Sequence, residues 1–179
     1  MSMERNNVAT MSAGALQTLM ETYGEDVWNY AFFLSRSSSA ADDIAQETFI
    51  RAYKYMHAFR GEASVKTWLL RITRNRWYTY RSSSFMKRVT LQAAPDSTRT
   101  EHSAENAYMD ESLSSEIWQL LLRLPRKYRE ILMLHAHYEM TMEELAHTLN
   151  ISLSAAKSRL HRARQKASEY WEKELNGNG

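Results

Sequence analysis

The sequence predicts an all-α protein built as two small helical domains joined by a flexible linker. Three observations carry that prediction. Apolar residues recur at spacings of three and four through both halves, the stripe that a helix buries. The 179 residues include only five Gly and two Pro and no Val/Ile-rich alternation, so sheet and hairpin signals are scarce. The periodicity fails over 82–102, where Ser, Thr and Pro gather. With 44% hydrophobic residues, five Trp and ten Tyr, each half has the means to bury a core.

Taken in order, Leu16, Leu19, Met20, Tyr23, Val27, Tyr30 and Leu34 form the stripe of a first helix that the Ser37-Ser-Ser turn interrupts. A second helix is expected to start at Ser39, a cap followed three residues on by Asp42, with Ala41, Ile44, Ala45, Thr48, Phe49, Ala52 and Met56 inward. A third, capped by Ser64, is expected from about Val65 to Arg81 with Trp68, Leu69, Ile72 and Arg76 on its inner stripe. These helices make a first domain over 13–81, and 82–112 is expected to be linker.

In the second domain, 113–172, Leu113, Ile117, Leu120, Leu121 and Leu124 give a helix stopped by Pro125, and Tyr128, Ile131, Leu132 and His135 mark the next. Thr141 and Glu144 have the spacing of a capping box opening a short helix with Leu145, Ala146 and Leu149 inward. Asn150-Ile-Ser then makes a turn. A last helix is expected from about Leu153 to Tyr170, buried through Ala156, Leu160, Ala163 and Ala167.

The net charge of +2 conceals a strong segregation. Residues 21–47 hold six acids against Arg36, 60–90 hold eight bases against Glu62, 96–116 hold six acids against Arg99, and 151–167 hold five bases and no acid. Such alternation suits two anion-binding surfaces separated by regions that repel a polyanion. No Cys is present, which excludes disulfides and thiolate metal sites within these residues and fits a reducing cytoplasm. The apolar runs are far shorter than the roughly 20 residues a membrane span needs, and the polar first residues lack a signal-peptide pattern. No membrane insertion is expected.

The short helix, three-residue turn and basic helix at 142–166 have the proportions of a helix-turn-helix. If Ala156, Leu160 and Ala163 point inward, then Ser154, Ala155, Lys157, Ser158, His161 and Arg162 point outward, where Lys and Ser reach base edges and Arg159, Arg162 and Arg164 neutralise phosphates. A plain helical hairpin with a solvated basic face accounts for the same pattern. In 60–90, cations alternate with rings: Arg71, Arg74, Arg76, Trp77, Tyr78, Tyr80, Arg81. That mixture suits a single strand, whose backbone needs charge and whose unstacked bases need flat partners. Trp68 reads better as core, whereas Trp77 and Tyr78 point about 100° apart on one helix, so at least one should face outward.

At these residues the chain resembles a known family. Ala41-Asp-Asp-Ile-Ala-Gln-Glu-Thr-Phe-Ile-Arg-Ala-Tyr, then Phe59-Arg-Gly-Glu, then Thr67-Trp-Leu-Leu-Arg-Ile-Thr-Arg-Asn resemble region two of the extracytoplasmic-function sigma factors of bacterial RNA polymerase, in the sigma-70 family. Leu124-Pro-Arg-Lys-Tyr-Arg-Glu-Ile-Leu and Ile151 through Arg164 resemble region four. The resemblance implies an alternative sigma factor that is not itself an enzyme and carries no cofactor. It implies a first domain that binds the clamp helices of core RNA polymerase and opens the minus-ten element. The second domain would read the minus-thirty-five duplex and touch the polymerase flap. The protein would act as a monomer within the holoenzyme, in the cytoplasm, with an anti-sigma factor as a partner that can hold it at the membrane.

Carried onto this chain, the resemblance places polymerase binding on Asp43, Gln46, Glu47 and Phe49, while Asp42 serves equally as a solvated acid at a helix start. Minus-ten contacts fall on Phe59, Arg60, Gly61, Glu62, Ala63, Ser64 and Asn75, joined by Trp77 and Tyr78; the loop 59–64 lies where the family captures a flipped base. Minus-thirty-five contacts fall on Ser154, Lys157, Ser158, Arg159, His161, Arg162 and Arg164, with Lys157, Ser158 and His161 facing the groove. Ser154 and Ala155 stand where the family commonly has Gly and Thr, so a hydroxyl contact at 155 is lost. The longer regions of housekeeping sigma factors and an appended C-terminal domain are not expected.

Two rivals have sequence support. His135, His137 and His147 with Glu139, Glu143 and Glu144 offer metal-ligand spacings, although only Glu144/His147 fits a Glu-x-x-His pair. A stand-alone helix-turn-helix regulator shares the second domain but leaves the acidic helix and the Arg/aromatic helix unexplained.

Overall fold

The computed structural model describes the backbone of residues 2–91 and 116–177 and the side chains of 14–83 and 116–177. The chain divides into two units, Met1–Asp96 and Ser97–Gly179. In the first, α1 (Ser2–Ser35), α2 (Ser38–Tyr55) and α3 (Val65–Leu91) pack on one another, with a 3₁₀ turn at Met56–Ala58 after α2. In the second, α4 (Glu116–Arg123), α5 (Arg126–Leu132), a π-helical turn (Met133–His137), α6 (Met142–Leu149) and α7 (Leu153–Gly177) follow in order. Among the described residues no strand occurs, and no helix is long and apolar enough to cross a membrane. The all-α, two-unit expectation is met.

The first unit closes around Val27, Phe49, Ala52 and Leu69, with Leu16, Leu19, Tyr23, Val65, Trp68 and Ile72 packed on them. Each lies on the stripe its helix spacing predicts. Arg36, at φ 56°, ends α1 in the left-handed region. Ser37 then takes extended backbone, and its Oγ accepts the Ala40 amide. The cap of α2 is therefore Ser37 and not Ser39, because only Ser37 lies outside the helix with its hydroxyl beneath the free amides. Ser64 caps α3, accepting the Thr67 amide at 3.0 Å. That helix continues to Leu91, past the expected stop at Arg81. Ser82 shows how Ser is accommodated there: its hydroxyl donates back to the Tyr78 carbonyl. The rest of the expected linker, 92–112, and Leu113 lie outside the described residues.

The second unit buries Leu120, Leu124, Ile131, Leu134, Met140, Leu145, Leu149, Ala156, Leu160 and Ala163. Pro125, extended at ψ 137°, separates α4 from α5. Arg129 is buried, and its guanidinium donates to the Leu122 carbonyl at the end of α4. Thr141 and Glu144 form both halves of the capping box. Asn150, left-handed at φ 54° and ψ 51°, closes α6: its amide reaches the His147 carbonyl while that of Ile151 reaches Ala146 at 3.0 Å. This is the Schellman pairing, for which Asn is the usual substitute for Gly. Ser152 then caps α7 by accepting the Ala155 amide. The helix runs on to Gly177, beyond Tyr170, and Arg123 pairs with Glu174 on that extension.

Candidate functional site

On α7 the buried residues Ala156, Leu160 and Ala163 all face the core. Helical geometry therefore turns Ser154, Ala155, Lys157, Ser158, His161, Arg162 and Arg164 to solvent, and all are exposed, whereas Arg159 is half-buried. The cations Lys157, Arg162 and Arg164 have no ion pair among the described residues. Lys166, farther on, is engaged instead with Glu169 at 2.8 Å; that hydrogen bond and charge raise the lysine above its usual range and lower the carboxyl below its own. The unengaged cations thus concentrate in the first half of α7, which the tight turn at 150–152 projects from α6.

In the first unit, α2 shows its acids to solvent. Asp43, Gln46 and Glu47 are exposed and make no hydrogen bond or ion pair among the described residues. Asp42 differs: its carboxylate accepts the Trp28 indole N–H at 2.7 Å, pinning α1 to α2. Phe49 is only 6% exposed and belongs to the core. It supports the acidic face from beneath and lines the floor of a groove of about 450 Å³ with Met20, Gly24, Trp28, Ala45 and Gln46. The outer stripe continues instead through Ile50, 54% exposed, and Tyr53. Sequence reading passed over both, although Ile50 lies one turn after Gln46 and Glu47, a placement that projects it outward.

The loop 59–64 hangs on Phe59, whose ring packs on Trp68 with centroids 5.0 Å apart. Arg60, Gly61, Glu62 and Ser64 are exposed, and Ala63 is half-buried. Gly61 sits at φ +70°, so a side chain there would be strained even though the surrounding space is open. Asn75 is exposed on α3. Trp77 and Tyr78, of which at least one was expected to face outward, are both half-buried. Trp77 stacks beside Tyr80 at 6.4 Å, and the Arg74 guanidinium covers the Tyr78 ring at 4.7 Å while donating to its hydroxyl. The cation and ring alternation in the sequence is thus realised as paired cations and rings on one helix.

The histidines and acids of the second unit do not converge. His135 bonds the Met140 carbonyl, His137 packs edge-on against Trp118 and Tyr138, and Glu144 closes the capping box. Among the described residues no group of three or more His, Asp or Glu is placed to hold a metal ion.

Comparison with known proteins matches this arrangement unit by unit. The sigma-70 region 2 family model matches residues 19–84, and the sigma-70 region 4 model matches 114–166. The RNA polymerase sigma factor YlaC of Bacillus subtilis is 30% identical over 152 residues, covering 84% of this chain and 88% of that protein. The ECF RNA polymerase sigma factor SigM of the same organism is 27% identical over 161 residues, 90% of this chain and 98% of SigM. In fold, the chain is similar to the sigma factor RpoE of Bartonella quintana, solved with the anti-sigma factor NepR. The TM-score is 0.68 at 21% identity, over 87% of this chain and 96% of that one. With both regions present, in that order, over most of its length, the chain belongs to the extracytoplasmic-function sigma factors of the sigma-70 family, which direct core RNA polymerase to promoters to initiate transcription.

Proposed function

We propose that the first unit both docks on polymerase and captures the melted strand, while the second reads the upstream duplex, with 13–81 and 113–172 as the working domains. Asp43, Gln46 and Glu47 meet a basic surface of the clamp, backed by Phe49. The loop 59–64 and Asn75, with Trp77 and Tyr78 beside them, receive bases from the displaced strand. Flipping a base costs a few kcal/mol, which such contacts offset. Lys157, Ser158 and His161 read base edges in the minus-thirty-five major groove; Ser154, Arg159, Arg162 and Arg164 hold phosphates.

The observation that carries this reading is the separation of charge within the first unit: Asp43 and Glu47, exposed and without an ion pair among the described residues, in the first half of α2, and cations and rings on α3. One unit then faces two partners of opposite sign. The protein works in the cytoplasm with no catalytic residue of its own. An anti-sigma factor is a fitting regulator, since two neighbours in fold, RpoE and CnrH, were solved with NepR and with the cytosolic domain of CnrY. The test is holoenzyme assembly by Asp43→Lys/Glu47→Lys. Both positions are exposed, so helicity should hold while affinity for core polymerase falls; unchanged affinity would remove the docking assignment.

A further inference from the structure

With ten methionines and no cysteine, the sulfur chemistry of these residues is that of the thioether alone. Among the described residues the methionines differ sharply in access. Met133 and Met140 are buried and Met56 and Met142 half-buried, whereas Met20 is 49% exposed. It stands on α1 where two open grooves meet, one of about 410 Å³ with Leu16, Gln17 and Glu21, the other the groove of about 450 Å³ floored by Phe49. A helical side chain covers the turn before its own Cα, so the residue placed to shield Met20 is the one four positions on. That residue is Gly24, and the space above it is open: a Cβ there would meet nothing within 4 Å. The Met20 side chain is therefore left uncovered at the junction of the grooves.

The second groove also carries Asp43 and Gln46 of α2, and the indole N–H of Trp28 in it is already bonded to Asp42. A docking partner thus meets acids beside an apolar floor, to which a flexible thioether adapts well. Oxidation would reverse that fit, because a sulfoxide oxygen is a strong acceptor whose burial against apolar surface costs the hydration it gives up. We propose that Met20 is a modification site through which a hydroperoxide weakens the docking of core polymerase; this rests on the docking reading above. The sulfur lone pair attacks one oxygen of hydrogen peroxide and the O–O bond breaks. The departing hydroxide takes the proton of the transferred OH and leaves as water. Sulfur loses two electrons, the peroxide gains them, and the products are methionine sulfoxide and water. Hydrogen peroxide carries no charge, so the carboxylates of Asp42 and Asp43 do not repel it.

The full chain is treated with graded hydrogen peroxide, the oxidised methionines are mapped by peptide mass spectrometry, and the product is titrated against core polymerase. Met20 should oxidise before Met133 and Met140. Affinity should fall about tenfold in step with Met20 sulfoxide, the scale of one methionine side chain lost from an apolar interface, and return after treatment with methionine sulfoxide reductases. Helicity should stay constant throughout, and prior assembly with core polymerase should slow oxidation at Met20. In Met20→Leu, peroxide should leave the affinity at the value of the untreated variant. A peroxide-dependent fall that persists in Met20→Leu would overturn the proposal, as would loss of helicity on oxidation, equal oxidation of Met20 in free and assembled protein, or oxidation of Met20 no faster than that of Met133 and Met140. Full affinity with Met20 oxidised, while Asp43→Lys/Glu47→Lys loses binding, would overturn the switch and leave the docking reading standing. If that double variant also binds normally, both fall.

Discussion

In the second unit the residues proposed to meet DNA, Lys157, Ser158, His161 and Arg162, stand exposed on one flank of a helix whose other flank is buried through Ala156, Leu160 and Ala163. In the first unit the rings proposed to meet DNA, Phe59, Trp77 and Tyr78, are half-buried against Trp68, Tyr80 and Arg74. The contrast follows the ligands. A duplex groove has regular geometry, so a fixed row of side chains on one helix can read it. Unpaired bases have none of that regularity, and rings already braced by neighbours lose less freedom on meeting them.

The largest effects test whether the two cores are comparable supports for these different surfaces. Leu69→Ala and Leu145→Ala remove fully buried side chains from the first and second unit. Each should cost about 2–5 kcal/mol in urea denaturation. A near-neutral result at either would mean that the unit's surface lacks a rigid base.

Next come the groove contacts. Lys157→Ala and His161→Ala should each lose about 1–3 kcal/mol at the preferred upstream element and change the sequence recovered by selection. Arg162→Ala and Arg164→Ala should weaken all sequences alike and flatten the salt slope by about 0.9 per phosphate. The same selected sequence from wild type and Lys157→Ala/His161→Ala would break the distinction between readers and holders.

Smaller again is the cap that opens α6. Thr141→Ala should cost about 1 kcal/mol in urea, since it exposes the Glu144 amide. Smallest is the Lys166–Glu169 pair, which lies on the exposed surface. The carboxyl of Glu169 is lowered on folding, so its contribution is present above the ordinary carboxylate range and fades as pH falls through the folded value. Lys166 is raised, so its share is present below the ordinary lysine range and fades as pH rises through the folded value. Lys166→Ala should therefore flatten both limbs of the melting temperature against pH, by less than Thr141→Ala lowers it at neutral pH.

The second unit was the more legible in sequence. Helical period alone sorted Ala156, Leu160 and Ala163 from Lys157 and His161, and the Thr141/Glu144 spacing announced its cap. The first was less so, because contacts between helices decided its details. Nothing local distinguishes Asp42 from Asp43, yet Trp28, fourteen residues away, bonds only the former. Phe49 was placed inward by its helical stripe and on the docking face by the family resemblance, and it packs on Leu69 in the core. Ser39 was favoured as a cap by its distance to Asp42, whereas the left-handed Arg36 brings Ser37 into that place. The extension of α3 to Leu91 passes through a Ser-rich stretch read as linker, where Ser82 bonds back into the helix.

The most direct measurement is permanganate reactivity of promoter thymines near the start site, with holoenzyme carrying Asn75→Ala or a replaced loop at Glu62-Ala63-Ser64. If the first unit captures the strand, these variants bind polymerase and closed promoter as wild type does, but reactivity falls. A template mismatched in the minus-ten region then restores transcription, because no pairs remain to be opened. Normal reactivity in the variants, or loss of polymerase binding by them, would contradict strand capture at these residues.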